Sequence, residues 1–164
     1  MLRKAVMITA ALTLTCGAFA VGAVPSGAES GSDCTFQHVP DLKPGISYNP
    51  SSGTFVDPGG GTVECKGAVN GSGSYTDSGT YSNATCQSGG LAEGDPSFTI
   101  GGQTFTDHIK IVFGKEPSTN GKGIVHATFE GDKVKGTIEL TPTKGDCISS
   151  PVTQVRGVGE FDLK

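Results

Sequence analysis

Hydrophobic and polar residues alternate most regularly between residues 97 and 141. Phe105, Ile109, Ile111 and Phe113 recur at every second position, with Thr104, Thr106, His108 and Lys110 between them and one interruption at Asp107. A period of two marks a strand with one face on a core and the other in water. The pattern returns over 123–130, with Val125, Ala127 and Phe129 inward, and over 133–141, with Val134, Ile138 and Leu140 inward. Gly101-Gly102 supplies a two-residue turn of the kind that needs positive φ, and Gly131-Asp132 closes the next hairpin. The stretch predicts consecutive antiparallel strands, with 103–113 the longest and central. A last strand is predicted over 152–163. Val155, Phe161 and Leu163 share one face there with Gly157 and Gly159, whose missing side chains suit a bend or the close approach of a neighbouring strand.

Ahead of residue 97 the pattern weakens. Val63 and Cys65 face one way in a short strand, and 74–76 and 80–86 read as two further strands rich in Ser, Thr and Gly. Tyr75 and Tyr81 are their packing residues. Residues 87–96 read as a loop with Leu91 as its large apolar group. Residues 29–60 read as an irregular, proline-rich segment packed on the domain, because Pro40, Pro44, Pro50 and Pro58 each lack a ladder donor. A short edge strand near 34–39 and the anchors Tyr48 and Phe55 would hold it in place. No stretch after residue 28 shows a helical period. The fold expected is all-β: a small antiparallel β-barrel or barrel-like sandwich of seven or eight strands, with the long glycine-bent last strand favouring the barrel.

Composition adds a compartment to this picture. Arg3 and Lys4 precede an apolar, Ala-rich run, and Ser26-Gly27-Ala28 fits a small-residue cleavage site. Residues 1–28 are therefore expected to be a secretory signal peptide, leaving 29–60 as the proline-rich segment and 61–164 as the antiparallel β domain. Cys16 lacks the flanking residues that lipid attachment uses. The signal carries two of the twelve basic residues and none of the sixteen acidic ones, so the mature chain has a net charge of −6. With no basic run, nucleic acid is not an expected partner, and no membrane association is expected after cleavage. Cys34, Cys65, Cys86 and Cys147 form an even set in an exported chain and read as two disulfides. The pairing Cys65–Cys86 with Cys34–Cys147 would close a Gly/Ser-rich hairpin and tie both ends of the domain together.

Candidate chemistry is sparse. No nucleophile elbow, paired-carboxylate pattern or calcium loop occurs, and the Pro58–Gly61 run precedes a strand rather than a helix, unlike a phosphate cradle. By alternation Asp107 falls on the apolar face with Phe105 and Ile109. It is there either as a strand-end or bulge residue or as an acid inside a ligand cavity. His108 and His126 would lie diagonally across a hairpin centred on 114–122, a weak arrangement for a metal. His38 has no partner that the sequence identifies. The expectation is a secreted bacterial protein, a non-catalytic monomer that uses no cofactor or metal and binds an extracellular protein or a small ligand. The alternative is a small-ligand-binding barrel or barrel enzyme with Asp107 in a cavity lined by Phe105, Ile109, Phe129 and Tyr81.

Overall fold

The computed structural model describes residues 31–86, 90–114 and 125–164. The expected signal peptide lies outside the described residues. Thirteen strands form one continuous antiparallel sheet. They are β1 (Ser32–His38), β2 (Asp41–Ile46), β3 (Ser51–Val56), β4 (Gly61–Gly67), β5 (Gly71–Thr76), β6 (Ser78–Ala84), β7 (Leu91–Gly94), β8 (Ser97–Ile100), β9 (Gln103–Thr106), β10 (Ile109–Phe113), β11 (Val125–Glu130), β12 (Val134–Lys144) and β13 (Val152–Leu163).

The thirteen reduce to eight long passes of chain running up and down. Each of the pairs β1–β2, β3–β4, β5–β6, β7–β8 and β9–β10 is a single pass broken at the same height, while β11, β12 and β13 are unbroken. The breaks fall at Val39-Pro40, at 57–60, at Asp77, at Asp95-Pro96 and at Asp107-His108. Proline cannot donate to a ladder, so three of these sites break by necessity. Hydrogen bonds still cross the waist: the Asp57 amide donates to the Asp77 carbonyl (2.8 Å) and the Asp95 amide to the Ser78 carbonyl (2.8 Å).

Below the waist, β2, β3, β6, β7, β10, β11, β12 and β13 close into an eight-stranded antiparallel barrel. Its stagger follows from the ladder. Asp162 faces Lys135, and successive partners lead to Lys43, which lies opposite β13 between Val152 and Gln154, eight to ten residues further back along that strand. A displacement of this size tilts the strands and leaves room inside for side chains or one small ligand. Above the waist the sheet continues from the second half of β13 through β1, β4, β5 and β8 to a free edge at β9. The β11–β12 hairpin turns back at the height of Asp107, so among the described residues β9 has no neighbour on its far side.

The buried apolar residues form two clusters that meet at Ile111, Phe113 and Leu140. The upper holds Phe36, Phe98 and Phe161 with Cys34, Cys65 and Leu163, and it reaches into the barrel through Ile109, Ala127, Phe129 and Ile138. Its phenylalanine rings meet at 5.2–6.5 Å, tilted or edge-on, a favourable arrangement for aromatic pairs. The lower holds Leu42, Phe55, Tyr81, Ala84, Ala92, Val152 and Val155.

Several expectations hold. Tyr75 and Tyr81 are buried, and the inward faces of 125–129 and 134–140 are as read. Gly101 and Gly102 turn the β8–β9 hairpin at φ 59° and 83°. Others need correction. The segment 29–60 is not irregular, because β1, β2 and β3 lie within it. Its prolines sit at the waist, in the turn after β2 and within β2 opposite a bulge of β13, where no ladder donor is required. Tyr48 is exposed in a turn and anchors nothing, whereas Phe55 is buried. Residues 91–94 form β7 rather than part of a loop, with small Ala92 inward and Leu91 outward. The predicted strand 103–113 is two strands, one of them an edge. The β12 strand also runs past Pro142 to Lys144 through a register shift.

The disulfides are Cys34–Cys65 and Cys86–Cys147, not the pairing expected from loop closure. Cys34 and Cys65 are directly opposed on β1 and β4 with Cα atoms 4.0 Å apart. The sequence hides this because β3, which separates them in the chain, belongs to the other half of the molecule. Cys86–Cys147 joins two connections at the lower end of the barrel. The intervening loops of 31 and 61 residues correspond to about 4 kcal/mol each in the chain-entropy account. Two disulfides are compatible with an extracellular protein.

Candidate functional site

The waist carries the unusual chemistry. His38 ends β1 on the same face as Cys34 and Phe36, Asp57 follows Phe55, and Asp77 follows Tyr75. Alternation carries each of them inward, and His38, Asp57 and Asp77 are 4%, 7% and 5% exposed. They stand on three neighbouring passes of chain. The His38 Nδ1 lies 3.9 Å from Asp57 Oδ2, beyond hydrogen-bonding distance. The Tyr75 hydroxyl donates to Asp77 Oδ2 at 3.4 Å, a long bond, and the Tyr75 ring meets His38 edge-on at 5.1 Å.

Four polar atoms in this group have no hydrogen-bond partner among the described residues: both ring nitrogens of His38, Asp57 Oδ2 and Asp77 Oδ1. Buried polar groups are nearly always satisfied, and each orphan costs about 1–3 kcal/mol. Room has been left for them. A Cβ at position 157 would sit 2.5 Å from His38 Nε2, and one at position 94 would sit 2.9 Å from Asp77 Oδ1. Glycine at both places lets a polar side chain occupy the interior.

Burial dominates the acid–base behaviour. It lowers the His38 pKa to about 4, so the imidazole is neutral. It raises Asp77 to about 7, against the smaller opposing pull of the Ser78 amide and the Tyr75 hydroxyl. Tyr75 is pushed well above its ordinary value, first by burial and then by the Asp77 charge.

His38, Tyr75 and Asp77 form the ceiling of a cavity of about 80 Å³ that runs down into the lower barrel. Its walls are apolar, with Leu42, Phe55 and Val155 buried and Ile46, Phe113 and Leu140 half-buried at the lower end. None of the lining residues is Lys or Arg. Asp57 stands behind His38, with its Oδ1 accepting the Gly59 amide at 2.9 Å.

The residues singled out in the sequence divide. Ile109, Phe129 and Tyr81 lie on the cavity wall. The Tyr81 hydroxyl donates to the Pro44 carbonyl. Phe105 is not with them: it is half-buried on β9, stacked on Phe98 at 5.4 Å. Asp107 is also elsewhere. It sits in the β9–β10 break, where its carboxylate accepts the amides of Lys133 (2.8 Å), Val134 (3.0 Å) and His108 (3.0 Å). Partial burial works against its charge, but these amides outweigh it and lower the pKa. The break interrupts alternation, so the reading that put Asp107 in a cavity does not describe its place.

His108 and His126 are not neighbours. Lys110 pairs with Glu130, which carries position 108 beyond the end of β11. His108 instead meets Asp95 at 2.8 Å, and His126 lies 3.6 Å from Glu139. Among the described residues no group of three or more His, Cys, Asp or Glu is placed to hold a metal ion. The sequence reading found no partner for His38 and gave Asp57 and Asp77 no role in a site, although the two-residue period through Cys34-Phe36-His38 and Tyr75-Asp77 marks two of the three as inward. In comparisons with protein families, curated proteins and solved structures, nothing matches this chain.

Proposed function

We propose that this chain is an exported, non-catalytic binding barrel that holds a small amphiphilic molecule in its lower half. One observation carries the reading: an almost wholly apolar cavity lies in the lower barrel beneath the buried side chains of His38, Tyr75 and Asp77. A barrel built for stability alone would fill that space with side chains. Small-molecule sites are concave and mostly apolar. The disulfides and the expected signal peptide support a role outside the cell.

The test uses the oxidised full-length product, titrated with 1-hexanol and followed by the methyl NMR signals of Leu42, Ile111 and Leu140. Saturable shifts at these residues are expected. Leu140→Trp, which fills the half-buried lower end, should abolish them, while Val158→Thr on the outer face should not. Absence of saturable shifts in the unsubstituted protein would sink the reading. Native mass spectrometry of the exported material should also show a co-purifying small molecule.

A further inference from the structure

We infer that Cys86–Cys147 is a reducible latch on the lower end of the barrel, opened by an external dithiol to release what the cavity holds. The inference rests on the binding-barrel reading and adds the regulation of that same cavity. Its basis is a contrast between the two disulfides. Cys34 and Cys65 are 2% and 0% exposed and lie within the upper cluster on directly opposed strands. Cys86 is only half-buried, and both Cys86 and Cys147 lie in connections rather than strands. A thiolate must reach a sulfur to cleave a bridge, and exposed bridges are the labile ones.

The second bridge also presses on the cavity's lining. Cys86 Sγ is 3.5 Å and Cys147 Sγ 3.8 Å from the carbonyl oxygen of Ile46, at the end of β2. Ile46 lines the cavity, as do Phe113 and Leu140, and all three pack on the cluster that contains Cys147. The Cys86 amide donates to the Ser47 carbonyl at 3.0 Å, so the bridge ties the 145–151 loop to the end of β2 through Cys86. That loop carries its own bonds. Asp146 Oδ1 accepts the amides of Ile148 (3.0 Å) and Ser149 (2.8 Å), and the Cys147 amide donates to the Ser150 carbonyl (2.9 Å). Cleavage therefore leaves the loop's turn intact and removes its tie to Ile46.

The exchange balances. One thiolate of the dithiol attacks the half-buried Cys86 Sγ, forms a mixed disulfide and expels Cys147 as a thiolate. The second thiolate displaces Cys86 and closes the reductant's own disulfide. Two electrons pass from the reductant to the bridge, and the two protons it gave up go to the cysteine thiolates.

The oxidised exported protein is treated with limiting dithiothreitol at pH 8, and free thiols are trapped with N-ethylmaleimide and mapped by mass spectrometry. Cys86 and Cys147 are expected to be trapped roughly tenfold or more faster than Cys34 and Cys65. In the singly reduced protein the amides of Ile46 and Val152 should exchange faster, 1-hexanol should dissociate several-fold faster, and the Leu163 methyl signals should stay in place. Cys86→Ser combined with Cys147→Ser should reproduce these changes without reductant. Equal trapping of all four cysteines, or unchanged exchange at Ile46, overturns the latch. Loss of the Leu163 signals overturns it too, since the bridge would then hold the whole fold. Unchanged 1-hexanol dissociation overturns the release while leaving the binding barrel standing. If 1-hexanol binds neither form, the binding-barrel reading falls, and trapping and exchange alone decide whether the latch stands.

Discussion

The upper and lower halves are built from the same eight passes of chain, yet they solve the interior differently. The upper sheet is open at β9 and is held by mass: buried Phe36, Phe98 and Phe161, half-buried Phe105, Tyr75 and a disulfide meet inside it. The lower barrel has no sheet edge, yet its wall uses Ala84, Ala92 and Val152 where the upper half uses rings. Hydrogen-bond closure thus accompanies a thin core, and an open edge accompanies a dense one. The orphan polar atoms lie at the boundary, where five passes are broken and the backbone is least regular. The upper half therefore supplies rigidity, and the lower half can carry unfilled space and unsatisfied groups at a cost in stability.

Truncating a ring in each half gives the largest expected contrast. Phe98 is 2% exposed and touches Phe105 and Phe161, so Phe98→Ala should destabilise by about 3–5 kcal/mol. Phe113 is half-buried beside the cavity, so Phe113→Ala should cost about 1–2 kcal/mol, since much of its surface already faces space. Urea unfolding at constant slope measures both. Equal losses would remove the distinction between the halves.

The next contrast is at the waist and is read through pH. Asp77 has a folded pKa raised from 3.8 to about 7, so its stabilising effect is complete below pH 3.8 and is lost as pH rises toward 7. His38 has a folded pKa lowered from 6.5 to about 4, so its effect is present above pH 6.5 and is lost as pH falls toward 4. Between about pH 4.5 and 6 the two slopes oppose and nearly cancel. Asp77→Asn should therefore unmask a loss of about 3 kcal/mol on acidification from pH 6.5 to 4, and His38→Leu a gain of about 3 kcal/mol from pH 7 to 4. Each is taken as the difference from the unsubstituted profile, so that surface groups drop out. Asp57, Tyr75 and Asp95 face Asp77 and remain in every variant. Parallel profiles for all three proteins would show that neither group is coupled to folding.

Legibility followed side-chain size and not position above or below the waist. Strong alternation through Phe105–Phe113 and Val134–Leu140 reports a dense core, because large side chains mark the inward face. The barrel wall of β6 and β7 offers Ala84, Ala92 and Gly94 instead, so the period carries no hydrophobic signal there and 87–96 read as loop. Proline count misled over 29–60, because it reports lost donors and not where a strand can do without them. The disulfides were opaque for a related reason: Cys34 and Cys65 become partners only once β2 and β3 are assigned to the other half. His38 and Asp77 needed only the alternation rule extended to polar residues. Asp57 did not yield to it as readily, because the 57–60 bend follows at once.

Asp107 brings the smallest effect and the clearest separation between two of the acids that alternation sends inward. Asp77 continues its strand's period across the waist and ends in the cavity ceiling without a partner for one oxygen. Asp107 sits where β9 outruns the β11–β12 hairpin, and its carboxylate accepts the amides of Lys133 and Val134 at that hairpin's turn. Asp107→Ala should therefore cost about 1–2 kcal/mol through those stranded amides. Asp107→Asn, which keeps one acceptor oxygen, should recover about half of that. Hydrogen exchange at Lys133 and Val134 should accelerate in the alanine variant, and 1-hexanol affinity should not change. A drop in affinity would place Asp107 in the site after all and would remove the distinction between an acid that ends a hairpin and one buried over the cavity.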